Sequence, residues 1–406
     1  MRFFNILLAI LFLFLPLYLL SLYRPELPAL LKDNMGWLPY AILLTGLFLC
    51  VVFYDSREFC LLLVTGLCYW VFQSFIWSKG LPDIEKEYLF NLLSFLFPLN
   101  LLFYYLLNER GLLNLYGIKR IGLLVVESLF VAWLVSSNWF LLFNFLNYEI
   151  VKTTLTEQTA MQQPVIILWL AVFLVVLIYW LMQGGFLRAI WMLACIALFI
   201  AMYSFFNVLF ATLYISIAGL IISVGIIINA YNLAYRDELT HLPSRRALKQ
   251  QLMALGKTYS IAMVDVDHFK KLNDTYGHDV GDDVLKLLAS QLNSVEGGGK
   301  AFRYGGEEFT VVFSGKDAEH AAEHLEELRT RIASTQFVIR HKKRPRKRPE
   351  ITSQPAETKI LNITVSIGVA EKQDEHDNPQ EVIKSADNAL YKAKQKGRNQ
   401  VVICDS

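Results

Sequence analysis

Long apolar runs fill the chain as far as about position 235, and shorter alternating patterns follow them. A bilayer-spanning α-helix needs about 20 mostly apolar residues, and eight runs reach that length. The runs lie at 3–22, 36–54, 58–77, 88–107, 120–140, 164–182, 189–208 and 211–231. Only Asn207 and Thr212 indicate a turn between the last two. The pattern therefore predicts a multi-pass α-helical membrane domain over 1–235, with seven or eight spans.

The first run has an alternative interpretation as a secretory signal peptide. It is longer than the apolar core of such a peptide, and Ser21-Leu22-Tyr23 leads into Arg24 rather than a small-residue cleavage site. These features favour a membrane span.

Composition agrees with a membrane protein and adds little else. The 406 residues are 55% hydrophobic, with a mean hydropathy of +0.40, which is more apolar than a soluble protein of ordinary charge content. The net charge of +2 excludes no class of partner. Five cysteines show no metal-binding or thioredoxin-like spacing and are interpreted as reduced packing residues: Cys50, Cys60, Cys68, Cys195 and Cys404.

Beyond position 236 the pattern alternates between helix and strand. Helices are predicted at 244–255, 281–293, 317–334 and 379–396, and strands at 259–266, 301–304, 309–313 and 361–370. Such a mixture predicts an α/β (α+β sandwich) domain over 236–406.

A turn with two glycines and two acidic residues, Gly305-Gly306-Glu307-Glu308, separates two strand-like runs. Gly-Gly permits the backbone angles of a tight hairpin turn, and the missing Cβ atoms let a ligand's phosphates approach the backbone. Adjacent carboxylates repel each other, so a cation bound between them and an anionic ligand explains the pair. The alternative is an exposed acidic turn without a function.

A second acidic pattern ends the strand predicted at 259–266. Asp265 and Asp267 are two residues apart, so a strand projects both carboxylates to the same side.

With these residues the sequence resembles the GGDEF family of diguanylate cyclases, in its GGEEF form. The motifs are, in order, D-x-L-T-H-L-P-S-R-R from Asp237, D-x-D-x-F-K-x-x-N-D-x-x-G-H-x-x-G-D from Asp265, R-Y-G-G-E-E-F from Arg303, S-I-G-V-A from Ser366 and A-D-x-A-L-Y-x-A-K-x-x-G-R-N from Ala386. His241 and Ser244 stand where the family has Gly and Asn. The resemblance covers only the C-terminal part and implies the palm-like fold shared with class III nucleotidyl cyclases.

The resemblance also implies roles for individual residues. Mg²⁺, with Mn²⁺ as an alternative, would be held by Asp265, the carbonyl of Val266, Glu307 and Glu308. Glu307 would also help to deprotonate the 3′-hydroxyl of GTP, and Glu307, Glu308 and Lys270 form the catalytic set. The substrate-binding set is Lys270, Lys394 and Arg398 for the triphosphate, Asn273 and Asp282 for the guanine edge, and Phe269. For each residue an exposed polar side chain without such a role is the alternative.

One departure concerns regulation. The family's product-inhibition motif, R-x-x-D, would occupy 296–299, where this chain has Glu296-Gly297-Gly298-Gly299. The resemblance therefore implies that the primary inhibitory site is absent. Arg303 could serve a secondary product contact.

An even number of spans places both ends of the chain on one side, and a GTP-using domain belongs in the cytoplasm. The expected location is thus the bacterial cytoplasmic (inner) membrane. The proposed inner loops carry slightly more basic residues than the outer ones, in the direction of the positive-inside rule. The proposed outer loops are short, the longest at about 141–163.

Two charged features remain. The loop at 340–359 begins with seven Lys or Arg within 340–348, which predicts either a solvated loop or a contact with anionic lipid headgroups. Nucleic acid is disfavoured because no aromatic residues interleave the charges. Glu127 lies inside a predicted span. It is interpreted either as a proton or ligand sensor or as a residue without such a role, which pairs with Lys119 or Arg120 near the interface or is protonated.

The preferred function is a membrane-bound diguanylate cyclase that converts two GTP into cyclic di-GMP and pyrophosphate as a homodimer. An inactive GGDEF domain that binds nucleotide or a partner protein is the alternative, and the intact Asp265, Glu307, Glu308 and Lys270 argue against it. A transporter with an appended domain is disfavoured by the scarcity of charge within the spans.

Overall fold

The computed structural model describes residues 35–78, 81–137, 148, 150, 159–339 and 360–404. The chain folds as two compact units, Met1–Ala230 and Tyr231–Ser406. Three predicted features lie outside the described residues: the span at 3–22, most of the loop at 141–163, and the basic segment at 340–359.

The N-terminal unit consists of apolar helices. Within the described residues they are α1 (Leu38–Phe53), α2 (Ser56–Val71), α3 (Asp83–Leu106), α4 (Leu115–Ser136), α5 (Gln163–Gln183), α6 (Phe186–Tyr203) and α7 (Val208–Tyr235). A 3-10 turn at Met35–Trp37 precedes α1, and a π-helical segment at Phe72–Ile76 continues α2.

Local sequence explains where several of these helices begin and end. Pro39 and Pro164 occupy the first turns of α1 and α5, where a proline sacrifices no intrahelical hydrogen bond. The Asn114 side chain accepts hydrogen bonds from the backbone N–H groups of Tyr116 and Gly117 and so caps α4. Gly184 has a φ of +64°, which ends α5 without the steric cost that a side chain would add.

Among the described residues, six helices are long and apolar enough to cross a membrane. They are Met35–Phe53, Ser56–Ile76, Asp83–Leu106, Gln163–Gln183, Phe186–Tyr203 and Val208–Tyr235. Each overlaps one of the predicted runs, and the break between the last two falls at 204–207, before Thr212. Helix α4, which overlaps the predicted run at 120–140, carries Lys119, Arg120 and Glu127 and is not among the six.

A cluster of charged groups, in which Glu58 and Arg120 are buried and Glu109 is exposed, joins several helices of this unit, and the sequence did not reveal it. Glu109, in the loop before α4, accepts hydrogen bonds from the backbone N–H of Ser56 at 3.1 Å and from its hydroxyl at 2.5 Å. Arg120 Nη1 lies 3.9 Å from Glu109 Oε1. Glu58, only 1% exposed, accepts a hydrogen bond from Trp191 Nε1 of α6 at 3.0 Å. Pairing and hydrogen bonding of this kind are what make buried charges tolerable.

The C-terminal unit alternates helices and strands. They are α8 (Arg245–Met253), β1 (Tyr259–Val266), α9 (Phe269–Tyr276), α10 (His278–Leu292), β2 (Lys300–Arg303), β3 (Glu308–Ser314), α11 (Ala318–Ser334), β4 (Gln336–Val338), β5 (Ile360–Asn362), β6 (Val365–Glu371), α12 (Pro379–Gln395) and β7 (Val401–Ile403).

The main sheet has the strand order β2-β3-β1-β6-β7, and β1 is antiparallel to both of its neighbours. All eight residues of β1 are buried because helices cover both faces of the sheet. Ala262 and Val264 pack into the core with α10 and α11, whereas Ile261 and Met263 pack into the core with α8 and α12. This layered arrangement confirms the predicted α/β fold class.

Most predicted elements of this unit are confirmed, with two kinds of difference. The predicted strand at 361–370 is two strands, because β5 pairs with β4 in a separate two-stranded sheet and β6 joins the main sheet. The short helix α9 and the strands β4 and β7 were not predicted. Each has eight residues or fewer, which is too short for a periodic pattern to be distinctive.

Candidate active site

The two acidic motifs meet at the carboxyl end of β1 because of strand register. Asp265 lies opposite Glu308 of β3 on one side and opposite Ser366 of β6 on the other. Alternate residues of a strand face the same side, so Asp265 shares the face of Ile261 and Met263, which α12 covers. Its carboxylate Oδ1 lies 2.9 Å from Lys394 Nζ of α12.

The Gly-Gly turn is the predicted hairpin between β2 and β3. The backbone N–H groups of Tyr304 and Gly305 both donate to the carbonyl of Glu308, at 2.9 and 3.2 Å. Glu307 therefore lies in the turn, and Glu308 begins β3. A Cβ atom at Gly306 would meet nothing within 4 Å, so the backbone there is open to a ligand.

Arg303 holds this turn in place, an arrangement that sequence reasoning missed. Its guanidinium donates to the carbonyls of Gly305 at 3.2 Å and Gly306 at 2.8 Å, and to Asp237 Oδ1 at 2.6 Å. Burial raises the pKa of Asp237, but hydrogen bonds from Thr240 and Arg303 outweigh it and hold the pKa below its usual range. The signal was present in the D-x-L-T motif, which carried no assigned role. This engagement of Arg303 argues against the predicted secondary product contact.

The acidic groups of the site carry negative charge that is only partly compensated. Burial raises the pKa of Asp265, and neighbouring Asp267 raises it further, while Lys394 and Arg398 lower it. Burial likewise raises the pKa of Glu307, with contributions from Asp265 and Glu308 in the same direction and from Lys394 in the opposite one. A bound cation would stabilise the charged forms of both groups.

A second group of predicted residues lies on α9 and α10, which follow β1 directly. The Oδ1 of Asn273 is buried and has no hydrogen-bond partner in the described residues. A Cβ atom at Gly281 would lie 1.9 Å from that oxygen, so a larger residue would require the Asn273 side chain to shift. Asp282 follows Gly281 and is exposed. An amide oxygen without a partner and an exposed carboxylate are groups that can accept hydrogen bonds from the edge of a base.

The remaining predicted ligand residues differ in exposure. Phe269 is buried in the core at the start of α9, which leaves only its backbone available to a substrate. Lys270 and Arg398 are exposed, and in the described part of the chain no hydrogen bond or ion pair engages either side chain. No such bond links Lys270, Asn273 or Asp282 to the acidic groups at the end of β1. The site therefore consists of two separate groups of residues. The acidic group at the end of β1 could bind a cation, and Asn273 and Asp282 could bind a base.

The donor set at the end of β1 fits a divalent cation of the Mg²⁺ type, which prefers oxygen ligands. The described residues contain no cluster of three or more His, Cys, Asp or Glu side chains arranged to hold a metal. The metal ligands predicted from the sequence are not all side chains, because the backbone carbonyl of Val266 is one of them, together with Asp265 and Glu307. The strand register that sets Asp265 opposite Glu308, with Glu307 next to it in the turn, is the observation that supports the fit.

Comparison with known proteins bears on this region of the chain. Residues 234–400 match the family model described as "Diguanylate cyclase, GGDEF domain". Residues 234–400 are a GGDEF domain. The match covers the motifs on which the resemblance rested and leaves the apolar helices outside it.

Named proteins that resemble the GGDEF domain agree with this identification. The chain is 36% identical over 182 residues to the response regulator PleD of Caulobacter vibrioides, covering 43% of this chain and 37% of PleD. It is 36% identical over 181 residues to the probable diguanylate cyclase DgcT of Escherichia coli, covering 43% and 36%. It is 35% identical over 170 residues to the diguanylate cyclase VdcA of Vibrio cholerae, covering 41% and 46%. The matched region spans less than half of each relative.

Among solved structures, the GGDEF domain of DgcB from Caulobacter crescentus, in complex with c-di-GMP, is 34% identical. The alignment has a TM-score of 0.36 and covers 43% of this chain and 97% of the DgcB domain.

The segment at 296–299 forms a glycine turn in the GGDEF domain. Gly297 and Gly298 have φ angles of +69° and +79°. A Cβ atom at Gly297 would lie 2.1 Å from the His324 ring of α11, so no larger residue fits there without a shift. The turn offers neither a cation nor a fork of hydrogen-bond donors for the phosphates of a cyclic dinucleotide.

Outside the GGDEF domain, the predicted pairing of Glu127 with Lys119 or Arg120 is wrong. Glu127 Oε1 instead accepts a hydrogen bond from Asn100 Nδ2 of α3 at 2.6 Å, and Arg120 is engaged by Glu109. The Asn100 and Glu127 side chains line an otherwise mainly apolar cavity of about 420 Å³ between α2, α3 and α4.

Proposed function

We propose that this protein is a diguanylate cyclase that condenses two GTP into cyclic di-GMP and two pyrophosphate. The observation that carries the proposal is the convergence of Asp265, Glu307 and Glu308 at the carboxyl end of β1, with Lys394 Nζ 2.9 Å from Asp265. Asn273 and Asp282 supply the separate base-binding group that a GTP substrate requires. The named relatives support the same activity.

The reaction forms one bond and breaks another at each α-phosphorus. The 3′-hydroxyl oxygen of one GTP attacks the α-phosphorus of the other, and the bond to the β-phosphate oxygen breaks, so that pyrophosphate leaves. Glu307 accepts the hydroxyl proton, a role that its raised pKa suits. Lys270, Lys394 and Arg398 bind and orient the triphosphate, whose position governs the rate of such a transfer. When bound by Asp265, Glu307, Glu308 and the Val266 carbonyl, Mg²⁺ or Mn²⁺ supplies charge neutralisation.

Each GGDEF domain would bind one GTP, so two domains must face each other, and the active form is a homodimer. The apolar helices of the N-terminal unit anchor the protein in the bacterial cytoplasmic membrane, with the GGDEF domain in the cytoplasm, and they regulate synthesis. The domain boundary near 235 agrees with both the family match and the two compact units. The segment 340–348 remains proposed to contact either solvent or anionic lipid.

The test is an assay of the purified full chain with GTP and Mg²⁺, with the product identified by mass. We expect cyclic di-GMP from the wild type and none from Glu307→Gln. Glu323→Gln, which alters an exposed glutamate on α11, is the matched control and should behave as wild type. GTP binding without product in the wild type would instead support the alternative function, an inactive nucleotide-binding GGDEF domain.

A further expectation concerns product feedback. Because the turn at 296–299 offers no cation for phosphate, synthesis should continue as product accumulates. Progress curves with added cyclic di-GMP measure this directly. Strong non-competitive inhibition, at product concentrations well below that of GTP, would place an inhibitory site elsewhere on the protein.

A further inference from the structure

The second aspartate of the D-x-D pattern, Asp267, is buried beside the site, and the mechanism above gives it no part. It follows β1 by one residue, and its own N–H donates to the Thr364 carbonyl at 3.0 Å. Its carboxylate faces the same side as that of Asp265. The two aspartates nevertheless have different neighbours.

Hydrogen-bond donors from the protein fill the carboxylate of Asp267. Oδ1 accepts from the Ser366 hydroxyl at 2.6 Å. Oδ2 accepts from the Thr364 hydroxyl at 2.8 Å and from the backbone N–H of Asn399 at 3.0 Å. Unlike Asp265, which has Lys394 as its ion-pair partner, Asp267 has only uncharged donors in the described residues. A carboxylate with this many donors is poorly placed to bind a metal as well.

The contact with Asn399 is the one that bears on the substrate. Gly397, Arg398 and Asn399 have φ angles of +113°, +65° and +47°, so three consecutive residues adopt the left-handed region. Asparagine tolerates this conformation, but for Arg398 it is costly and persists only when surrounding contacts impose it. Arg329 Nη1 donates to the Asn399 side chain at 2.7 Å. Asp267 and Arg329 thus both hold Asn399, one through its backbone N–H and the other through its side chain.

We infer that Asp267 is a positioning residue that holds the turn at 397–399 and so presents Arg398 to the triphosphate. This inference rests on the proposed function, which assigns Arg398 to the substrate. Asp267 does not touch the substrate and acts through the backbone of Asn399. Its loss should weaken substrate binding more than it slows the bond-forming step.

The test compares Asp267→Ala with Asp267→Asn in the purified full chain. Alanine removes all three side-chain hydrogen bonds, and we expect the KM for GTP to rise about tenfold, or 1.4 kcal/mol, with a much smaller change in kcat. Asparagine retains one oxygen that can accept from the Asn399 N–H. Its amide N–H can donate to a hydroxyl that donates to Asp267 in the wild type, if that hydroxyl acts as the acceptor instead. The KM for GTP of Asp267→Asn should therefore lie close to that of the wild type. Asp317→Ala, which removes a capping carboxylate from α11, controls for general loss of stability.

A double substitution separates positioning from a merely structural role. If Asp267 acts through Arg398, Asp267→Ala should add little to the rise in KM that Arg398→Ala causes alone. Independent, multiplying effects would overturn the inference. So would an unchanged KM in Asp267→Ala, or a fall in kcat alone.

The inference can also be tested without turnover. The affinity for a GTP analogue with a methylene group between the α- and β-phosphates is measured, because that analogue cannot release pyrophosphate. If the wild type makes no cyclic di-GMP yet binds the analogue, the proposed function fails, and weaker binding by Asp267→Ala still supports the positioning role. If the wild type is active and Asp267→Ala binds the analogue with unchanged affinity, only the inference fails.

Discussion

Asp265 is buried and Glu127 is half-buried, one carboxylic acid in each unit of the protein, and their neighbours differ in kind. Asp265 has a lysine 2.9 Å away, and it interacts electrostatically with Asp267, Arg398 and Glu307. Within the described part of the chain, Glu127 accepts one hydrogen bond, from an uncharged amide, in an otherwise mainly apolar wall. A dense set of opposite charges suits a site that binds a metal and a triphosphate. A lone carboxyl group beside an amide does not need to be ionised, so the two acids should respond differently to the same substitution.

The largest effect is expected from Asp265→Asn. It removes a charge from the metal-binding group while keeping the size of the side chain, and we expect cyclic di-GMP synthesis to fall by at least about 100-fold. Initial rates at saturating GTP and Mg²⁺ measure it. A rate within tenfold of the wild type would show that Asp265 is a structural partner of Lys394, and the contrast with Glu127 would lose its basis.

A smaller effect is expected from Arg303→Met, which frees the Gly-Gly turn and removes the ion-pair partner of Asp237. Losing hydrogen bonds to charged groups costs about 1.5–3 kcal/mol, so both the synthesis rate and the thermal unfolding temperature should fall. Because Arg303 helps to hold the pKa of Asp237 low, the stability of this pair is present at neutral pH and is lost as the pH falls through the folded-state pKa.

The unfolding temperatures of wild type and Arg303→Met should therefore converge in acid, below the ordinary titration range of aspartate. A constant difference at every pH would mean that packing, rather than the ion pair, carries the effect.

Lys394→Met should change the pH dependence of synthesis. Lys394 lowers the pKa of both Asp265 and Glu307, so its removal raises both values. The carboxylates must be ionised to bind a cation, and the acid limb of the kcat/KM profile should therefore move to higher pH. Lys384→Met, on the exposed side of α12, is the matched control and should leave the midpoint in place. A shift to lower pH in Lys394→Met would contradict the electrostatic account.

The smallest effect is expected from Glu127→Gln. The carbonyl oxygen of glutamine can accept the same hydrogen bond from Asn100, so the free energy of unfolding should change by no more than about 0.5 kcal/mol. Glu127→Leu leaves Asn100 without that acceptor and should cost about 1–3 kcal/mol. Thermal unfolding in lipid nanodiscs compares the two. If Glu127→Gln alters basal synthesis, the charge of Glu127 has a function, and the sensor prediction made from the sequence gains support.

The sequence determined much of this protein because its strongest signals are local. Apolar runs of fixed length predicted the helices, and the β1 pattern gave its bounds without error. The hairpin at Gly305-Gly306 followed from glycine's conformational freedom, and the ordered motifs located the GGDEF domain. Two predictions failed for lack of long-range information: the strand at 361–370 divides because its halves join different sheets, and Arg120 pairs with Glu109 across a loop rather than with Glu127 on its own helix.

Tertiary structure alone decided that Asp265 and Asp267, two aspartates of one sequence motif, have different partners. Sequence spacing predicted that Asp265 and Asp267 lie on the same side of a strand, but it did not predict which residues each of them contacts. The last turn of α12 brings Lys394 to Asp265, and the turn that follows α12 brings the Asn399 N–H to Asp267. Likewise, Arg303 meets Asp237 only because β2 lies beside the start of the GGDEF domain. Contacts between residues far apart in sequence depend on how strands and helices pack, and no local pattern encodes that packing.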